Sequence, residues 1–445
     1  MELFLKKLME EARSAGLEAC EAYVVERDSF RVMTTEGEIV EYKSNAARGL
    51  GFRGLLNGRM GYASTEAFDE EAIAQLVKGV KESAELCEDD DSVFLYDGQD
   101  AVPEMNLRNE ALSAIPAEEK IARVLEMEKH VKAYDSRVDK TSHNTIQTGS
   151  HTIRIVNSYG MDRSFTEDMC LMYGQATARE GDHIATGFYG VAGHDFAQLD
   201  AKAIGDEIAR RAVCQLGASA VPTGHYRVVF LNEAMADLLS TFSGIFSAQN
   251  AQKGMSLLKG RIGETVAAPC VTIVDDPLLK DGLESRPFDA EGVPSKTHTV
   301  IENGVFRTFL HNLKTAHKDG VKTTGNASKA GYASSVQVAP SNFYLKAGNR
   351  SLEEMLSDIG EGIVITEVSG LHAGANPVSG DFSLLSKGYL FKDGQPGQAV
   401  EQITVAGNFY ELMKNAREMA NDLLFPLGAF GCPSVDAGEL SISGK

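Results

Sequence analysis

The sequence contains no Cys-x-x-Cys pair; its six cysteines are scattered at positions 20, 87, 170, 214, 270 and 432. That scatter excludes a zinc knuckle and a disulfide framework, and fits the reduced thiols of a cytoplasm. No uninterrupted apolar run approaches the roughly 20 residues that a membrane helix needs, so no membrane partner is expected. The opening MELFLKKLMEEARSAG sets apolar and charged residues at helical spacing and includes Glu2, Glu10 and Glu11, an amphipathic helix and not a signal peptide. A cytoplasmic location is the resulting expectation. Positive charge is also scarce, with 43 Lys and Arg against 63 Asp and Glu and a net charge of −20. Such a surface repels phosphate backbones, and no basic stripe with interleaved aromatics offsets it, so no nucleic-acid partner is expected.

Several catalytic signatures are missing as well. Neither a Gly-x-x-x-x-Gly-Lys-Ser/Thr loop nor a Gly-x-Ser-x-Gly elbow occurs, which removes the usual marks of ATP use and serine-hydrolase chemistry. GLGFRG at 49–54 has the spelling of a dinucleotide loop, but its last glycine enters a hairpin where no helix N-terminus could receive a pyrophosphate. None of the ten histidines forms His-Glu-x-x-His. His298, His311, His317 and His372 are spaced as surface or hydrogen-bonded histidines, not as ligands of one cation.

What is present reads as an α+β chain. At 445 residues it has length for about three domains. A first α/β unit spans 1–90, with a strand at 30–37, a hairpin over 49–63 turning at Asn57-Gly58, and a helix over 68–86. Residues 91–112 form a linker, and the acidic run Glu88-Asp-Asp-Asp91 beside it reads as a solvated face. A second unit at 113–220 repeats the order, with strands near 152–160, 168–177 and 184–191 and a helix over 198–216, so the two units are read as related. From 221 to 445 the pattern is β-rich, with hairpins at Asn303-Gly304 and Asp393-Gly394 and two helices at about 233–249 and 408–422.

FLNEAMADLL at 230–239 follows the apolar run Tyr226–Val229 and reads as a strand running into a helix. Asn232 suits an N-cap, Glu233 suits the positive helix end, and Met235, Leu238 and Leu239 supply a buried face. The densest polar stretches lie further on, in DDPLLKDGLESRPFDAEGVPS, KTAHKDGVKTTGNAS and TEVSGLHAGANPVSGDFS, where loops beside strands can present amides and carboxylates to an extended ligand.

Asp276-Pro277, Ser285–Pro294, Ile301–Gly304, Thr323–Asn326, Thr366-Glu367, Val378–Ser383 and Ile403–Asn408 together resemble the TldD/PmbA family, in order and spacing, over nearly the whole C-terminal half. The resemblance implies a peptidase system of two homologous chains, TldD and TldE (or PmbA), that trims or degrades peptides and unfolded proteins. TldD-type chains carry His-Glu-x-x-x-His, which binds zinc with a further Cys. The segment aligned here is Asn232-Glu233-Ala-Met-Ala-Asp237, so only the Glu remains, and Cys432 in Phe-Gly-Cys-Pro has no context matching the zinc Cys. The resemblance therefore implies a TldE/PmbA-like chain with no catalytic or metal residues of its own, pairing as a heterodimer with a zinc-bearing TldD-like subunit or forming a homodimer. Asp289, Glu291, Asn326 and Asp381 are the candidates for contacting peptide or shaping the interface. Two other readings stay open: an independently active homodimeric metallopeptidase with unrecognised ligands, and a non-proteolytic regulatory protein of the gyrase-modulator type.

Overall fold

The computed structural model describes residues 1–87 and 93–445; the acidic run at 88–91 lies outside the described residues. The chain is an α+β protein. Its N-terminal half is built on one antiparallel six-stranded sheet, in the order β3-β2-β1-β4-β5-β6. β1 (Ala19–Thr35), β2 (Glu38–Leu56) and β3 (Arg59–Thr65) come from the first unit, with α1 (Glu2–Ser14) and α2 (Glu70–Glu85) packed against them. After a short α3 (Glu110–Ala114) and α4 (Ala117–Tyr134), the second unit adds β4 (Val138–Asn157), β5 (Asp162–Glu180) and β6 (His183–Gly193), followed by α5 (Ala201–Cys214). The two units share this sheet because β1 pairs with β4 from Glu21↔Asn157 to Thr34↔Asn144. Asp69 and Asp200 cap α2 and α5 by accepting from the backbone N–H of Ala72 and Ala203.

Strand alternation gives this sheet two working faces. On one face Cys20, Ala22 and Val24 of β1 and Leu50 and Phe52 of β2 pack with the helices of the first unit. On the other, Tyr23, Val25 and Ile155 meet Phe288, Ala290 and Ala327 of the C-terminal half. Gly49 and Gly51 of β2 belong to this second face. A Cβ on Gly49 would run into the Tyr332 ring, and one on Gly51 into the Tyr332 carbonyl oxygen. Gly49 and Gly51 thus let a C-terminal loop lie directly on the strand.

Three further sheets lie in the C-terminal half, of six, five and two strands, the smallest pairing Ala327–Ser328 with Gln337–Val338. In the six-stranded one, β7 (Gly224–Phe230) runs parallel to Glu361–Ser369 and antiparallel to Val435–Ser443. The five-stranded one contains Ile273–Asp275, His298–Glu302 and Phe343–Leu345. α6 (Asn232–Phe242) follows β7 at once and buries Met235, Leu238, Leu239 and Phe242 in a core shared with both sheets. Phe242 stacks on Phe409 with ring centroids 4.7 Å apart.

The turns at Asn57-Gly58, Asn303-Gly304 and Asp393-Gly394 all have positive φ at both residues, as two-residue hairpins require. Other expectations shift. β4 begins at Val138, well before the strand read from 152, and α4 occupies a stretch with no helix assigned. Its buried face, Val124, Met127 and Val131, is narrow and interrupted by the buried Lys120 and Glu128, which mask the helical period. The helix read at 233–249 breaks into α6, a 3-10 turn at Ser243–Phe246 and a short helix at Ala248–Gln252, and that read at 408–422 stops at Asn415. No helix among the described residues is long and apolar enough to cross a membrane.

Gly51→Ala tests the contact between the sheet and the loop. Forcing a methyl into the Tyr332 carbonyl should cost about 1–3 kcal/mol in chemical denaturation; unchanged stability would mean that the loop does not rest on β2.

Candidate functional site

The first residue of α6 is Asn232, with Leu231 in the cap position, so Asn232 is not the cap that its residue type suggested. Its side chain is used otherwise. Oδ1 accepts from the backbone N–H of Glu233 at 2.8 Å, and Nδ2 donates to the Asp422 carbonyl at 3.0 Å. Asp422 in turn accepts from the Ser434 hydroxyl at 2.7 Å, and the same hydroxyl accepts from the Asn232 N–H at 3.2 Å. The amide therefore staples the start of α6 to the segment leading into the last strand.

Glu233 points to the second N-terminal unit. Arg211 of α5 donates Nη1 to Oε2 at 2.7 Å and Nη2 to Oε1 at 2.6 Å, a bidentate fork in which both side chains are about one-quarter exposed (26% and 22%). The remaining edge of Arg211 donates Nε to Glu207 at 2.7 Å, and its guanidinium lies 4.5 Å from the centre of the Tyr189 ring. Glu233 is thus an inter-domain ion-pair partner, and sequence reasoning missed Arg211 because nothing local to α5 or α6 announces the pairing. Only the Glu207–Arg211 spacing, i to i+4 on a helix, was visible.

Asp237 lies one turn beyond Glu233 and remains exposed at the helix surface. Crowding by the surrounding protein, and then the carboxylates of Glu233 and Glu367, nevertheless push its carboxyl up to about 6. Cys432 is fully buried; burial drives its thiol far above the usual range, with the nearby Asp237 adding to the push.

The other sequence candidates do not join this site. Asp289 is buried and accepts from the N–H groups of Glu291, Val293 and Ala327, holding two loops together. Glu291 accepts from Arg53 at 3.4 Å and from the Leu313 N–H at 2.9 Å. Burial pushes both carboxyls upward. Asn326 donates to the buried Asp275 at 2.7 Å. Asp381 is exposed and paired with Asn408 and Ser379 at the end of a strand. The four histidines are dispersed: His298 faces the Thr324 carbonyl at 2.9 Å, His311 is buried, His317 packs on Phe94, and His372 is exposed.

The zinc of the resemblance finds no fitting donor set. Asn232 is engaged by Asp422, Glu233 by Arg211, and Cys432 is fully buried. Among the described residues no three His, Cys, Asp or Glu side chains converge to hold a metal ion.

Family models match the chain in three consecutive parts: PmbA/TldA metallopeptidase domain 1 at residues 20–84, the central domain at 110–216 and the C-terminal domain at 223–444. The chain belongs to the PmbA/TldD metallopeptidase family. The metalloprotease PmbA of Escherichia coli O157:H7 is 25% identical, with 99% of this chain and 97% of that protein aligned. A solved Thermotoga maritima structure, whose name refers to modulation of a DNA gyrase, is 31% identical with a TM-score of 0.93, covering 99% of this chain and 100% of that one. TldE from Thermococcus kodakarensis shares the fold at 22% identity and a TM-score of 0.91, covering 99% of this chain and 100% of that one.

The raised carboxyl of Asp237 sets a pH dependence. Its folded value lies above the unfolded one, so its ionisation opposes folding as pH rises from about 4 to about 6. Asp237→Asn should melt higher than the parent at pH 7 and at the same temperature at pH 3.5. Because the side chain keeps solvent access, the gain is about 1 kcal/mol or less. A gain of equal size at both pH values would assign the effect to something other than this ionisation.

Proposed function

We propose that this chain is the non-catalytic, TldE/PmbA-type subunit of a TldD/TldE-type zinc metallopeptidase that processes or degrades peptides and unfolded proteins. What carries the reading is the segment that the family resemblance aligns with the zinc motif, where Asn232 and Asp237 replace the two histidines that the resemblance implies, together with the fork by which Arg211 engages both oxygens of Glu233. A general base directs an oxygen at the proton it takes, whereas both oxygens of Glu233 are directed at Arg211. On this reading a TldD-like homologue brings the zinc, and this chain lines the space that admits extended peptides. Asp381, exposed at a strand end, is available to such a peptide or to the partner; Asp289, Glu291 and Asn326 contribute by fixing the loops they bridge elsewhere in the chain.

A second reading, an independently active homodimer, draws on the name of the Escherichia coli relative, a metalloprotease. A third, non-proteolytic regulation, draws on the name of the Thermotoga maritima relative. The net charge of −20 argues against direct DNA contact in that case.

Elemental analysis of the chain, purified alone without a metal-binding tag, distinguishes the first two. Zinc well below one equivalent is expected; one tightly held equivalent would overturn the non-catalytic assignment. Glu233→Gln, assayed together with a zinc-bearing homologue, should leave peptide cleavage within about twofold of the parent, whereas removal of a general base costs about a hundredfold or more.

A further inference from the structure

A pocket of about 350 Å³ lies on the helix-covered face of the N-terminal sheet, and neither Glu233 nor Arg211 lines it. Its floor is a cross-strand row in which Ala46, Asp28, Ser150 and Asp168 of β2, β1, β4 and β5 stand opposite one another, with Phe30 and Thr148 in the next row. Lys120 of α4 and Leu112 of α3 wall it. Three of these polar side chains are more than nine-tenths buried, with Lys120 at 7% exposure, Asp168 at 2% and Thr148 at 4%. Lys120 forms no hydrogen bond or ion pair among the described residues; its ammonium sits 4.9 Å over the Phe30 ring, and burial lowers its pKa with no charged neighbour acting on it. Asp168 gives Oδ2 to the Asn109 N–H at 2.8 Å and leaves Oδ1 without a donor among the described residues. Thr148 Oγ1 is unpartnered in the same way. None of these three free atoms is closed off from solvent, and their residues line the pocket.

Polar groups that stay buried without a partner are costly, and charged ones more so, which favours a ligand that pairs with both signs at once. The arrangement of charge narrows its chemistry. Asp28 and Asp168 are two strands apart, about 10 Å, so a cation over Ser150 lies between two carboxylates. Lys120 takes an anion, while Arg108 at the rim is turned to Glu110 at 3.7 Å. A dianionic phosphate would face two carboxylates and a bare amine would face the ammonium, whereas a zwitterion meets each group with the opposite charge. The volume is at the low end for small-molecule sites and suits a single residue, not a chain. Phe30 and Leu112 offer apolar surface to its side chain.

We propose that this pocket binds one free α-amino acid, its carboxylate on Lys120 and its ammonium over Ser150 between Asp168 and Asp28. The site goes beyond the function proposed above and does not rest on it, since binding here requires no catalysis by this chain or a partner. Isothermal titration calorimetry of the full chain with L-leucine, N-acetyl-L-leucine and L-leucinamide tests it. L-leucine should saturate one site by about 10 mM, and each blocked form, lacking one of the two charges, should bind about tenfold or more weaker. Lys120→Met removes only the contact over Phe30, and Asp168→Asn keeps an acceptor for the Asn109 N–H, so both variants should fold and each should weaken L-leucine by a similar factor. No saturation by L-leucine, equal or tighter binding of either blocked form, or unchanged affinity in a folded Lys120→Met chain would each overturn the proposal. If neither variant folds, the comparison of L-leucine with its blocked forms on the unaltered chain decides alone.

Discussion

The two halves of the molecule are joined through a buried guanidinium. Arg53 of β2 donates to Glu21 of β1 at 2.8 Å and to Glu291 of the C-terminal half at 3.4 Å, all three side chains being almost wholly buried. Glu291 reaches on to the backbone of Leu313, so one chain of charge-assisted bonds runs from the N-terminal sheet into a C-terminal helix start. Such an arrangement contributes little net stability over an apolar contact, but losing one member leaves a buried charge unmatched at a cost of several kcal/mol. It therefore fixes the register of the halves, and with it the placement of everything between them.

Two features follow from that register. The loop carrying Lys329 and Tyr332 can lie on β2 only because Gly49 and Gly51 have no side chains in its way, and a cleft between the halves is the space left beside it. On the far side of the sheet, α5 is brought near enough to α6 for Arg211 to fork Glu233. Glu233 is thereby an element of domain docking.

Much of the fold was legible because it rests on short-range rules. Asn-Gly and Asp-Gly turns, period-2 strands and the acidic start of α2 each depend on neighbouring residues, and they appear where those residues occur. α4 was not legible: a buried Lys120 and Glu128 interrupt its apolar face, and their partners, the Phe30 ring and Thr34, are distant in sequence. Asp289, Glu291 and Asn326 were visible as polar loop residues, but whether each faced a ligand or a neighbouring loop turned on contacts that spacing does not encode.

The sequence by itself determined the α+β class, the hairpins and the PmbA/TldD kinship, since each is a property of residue type and order. Only the tertiary structure decided that Glu233 is bound to Arg211, that Asn232 is tied to Asp422, and that Lys120 and Asp168 share one pocket. Those pairings join residues from different elements, and the energy that selects them depends on distance and burial after packing, to which separation along the chain gives no guide.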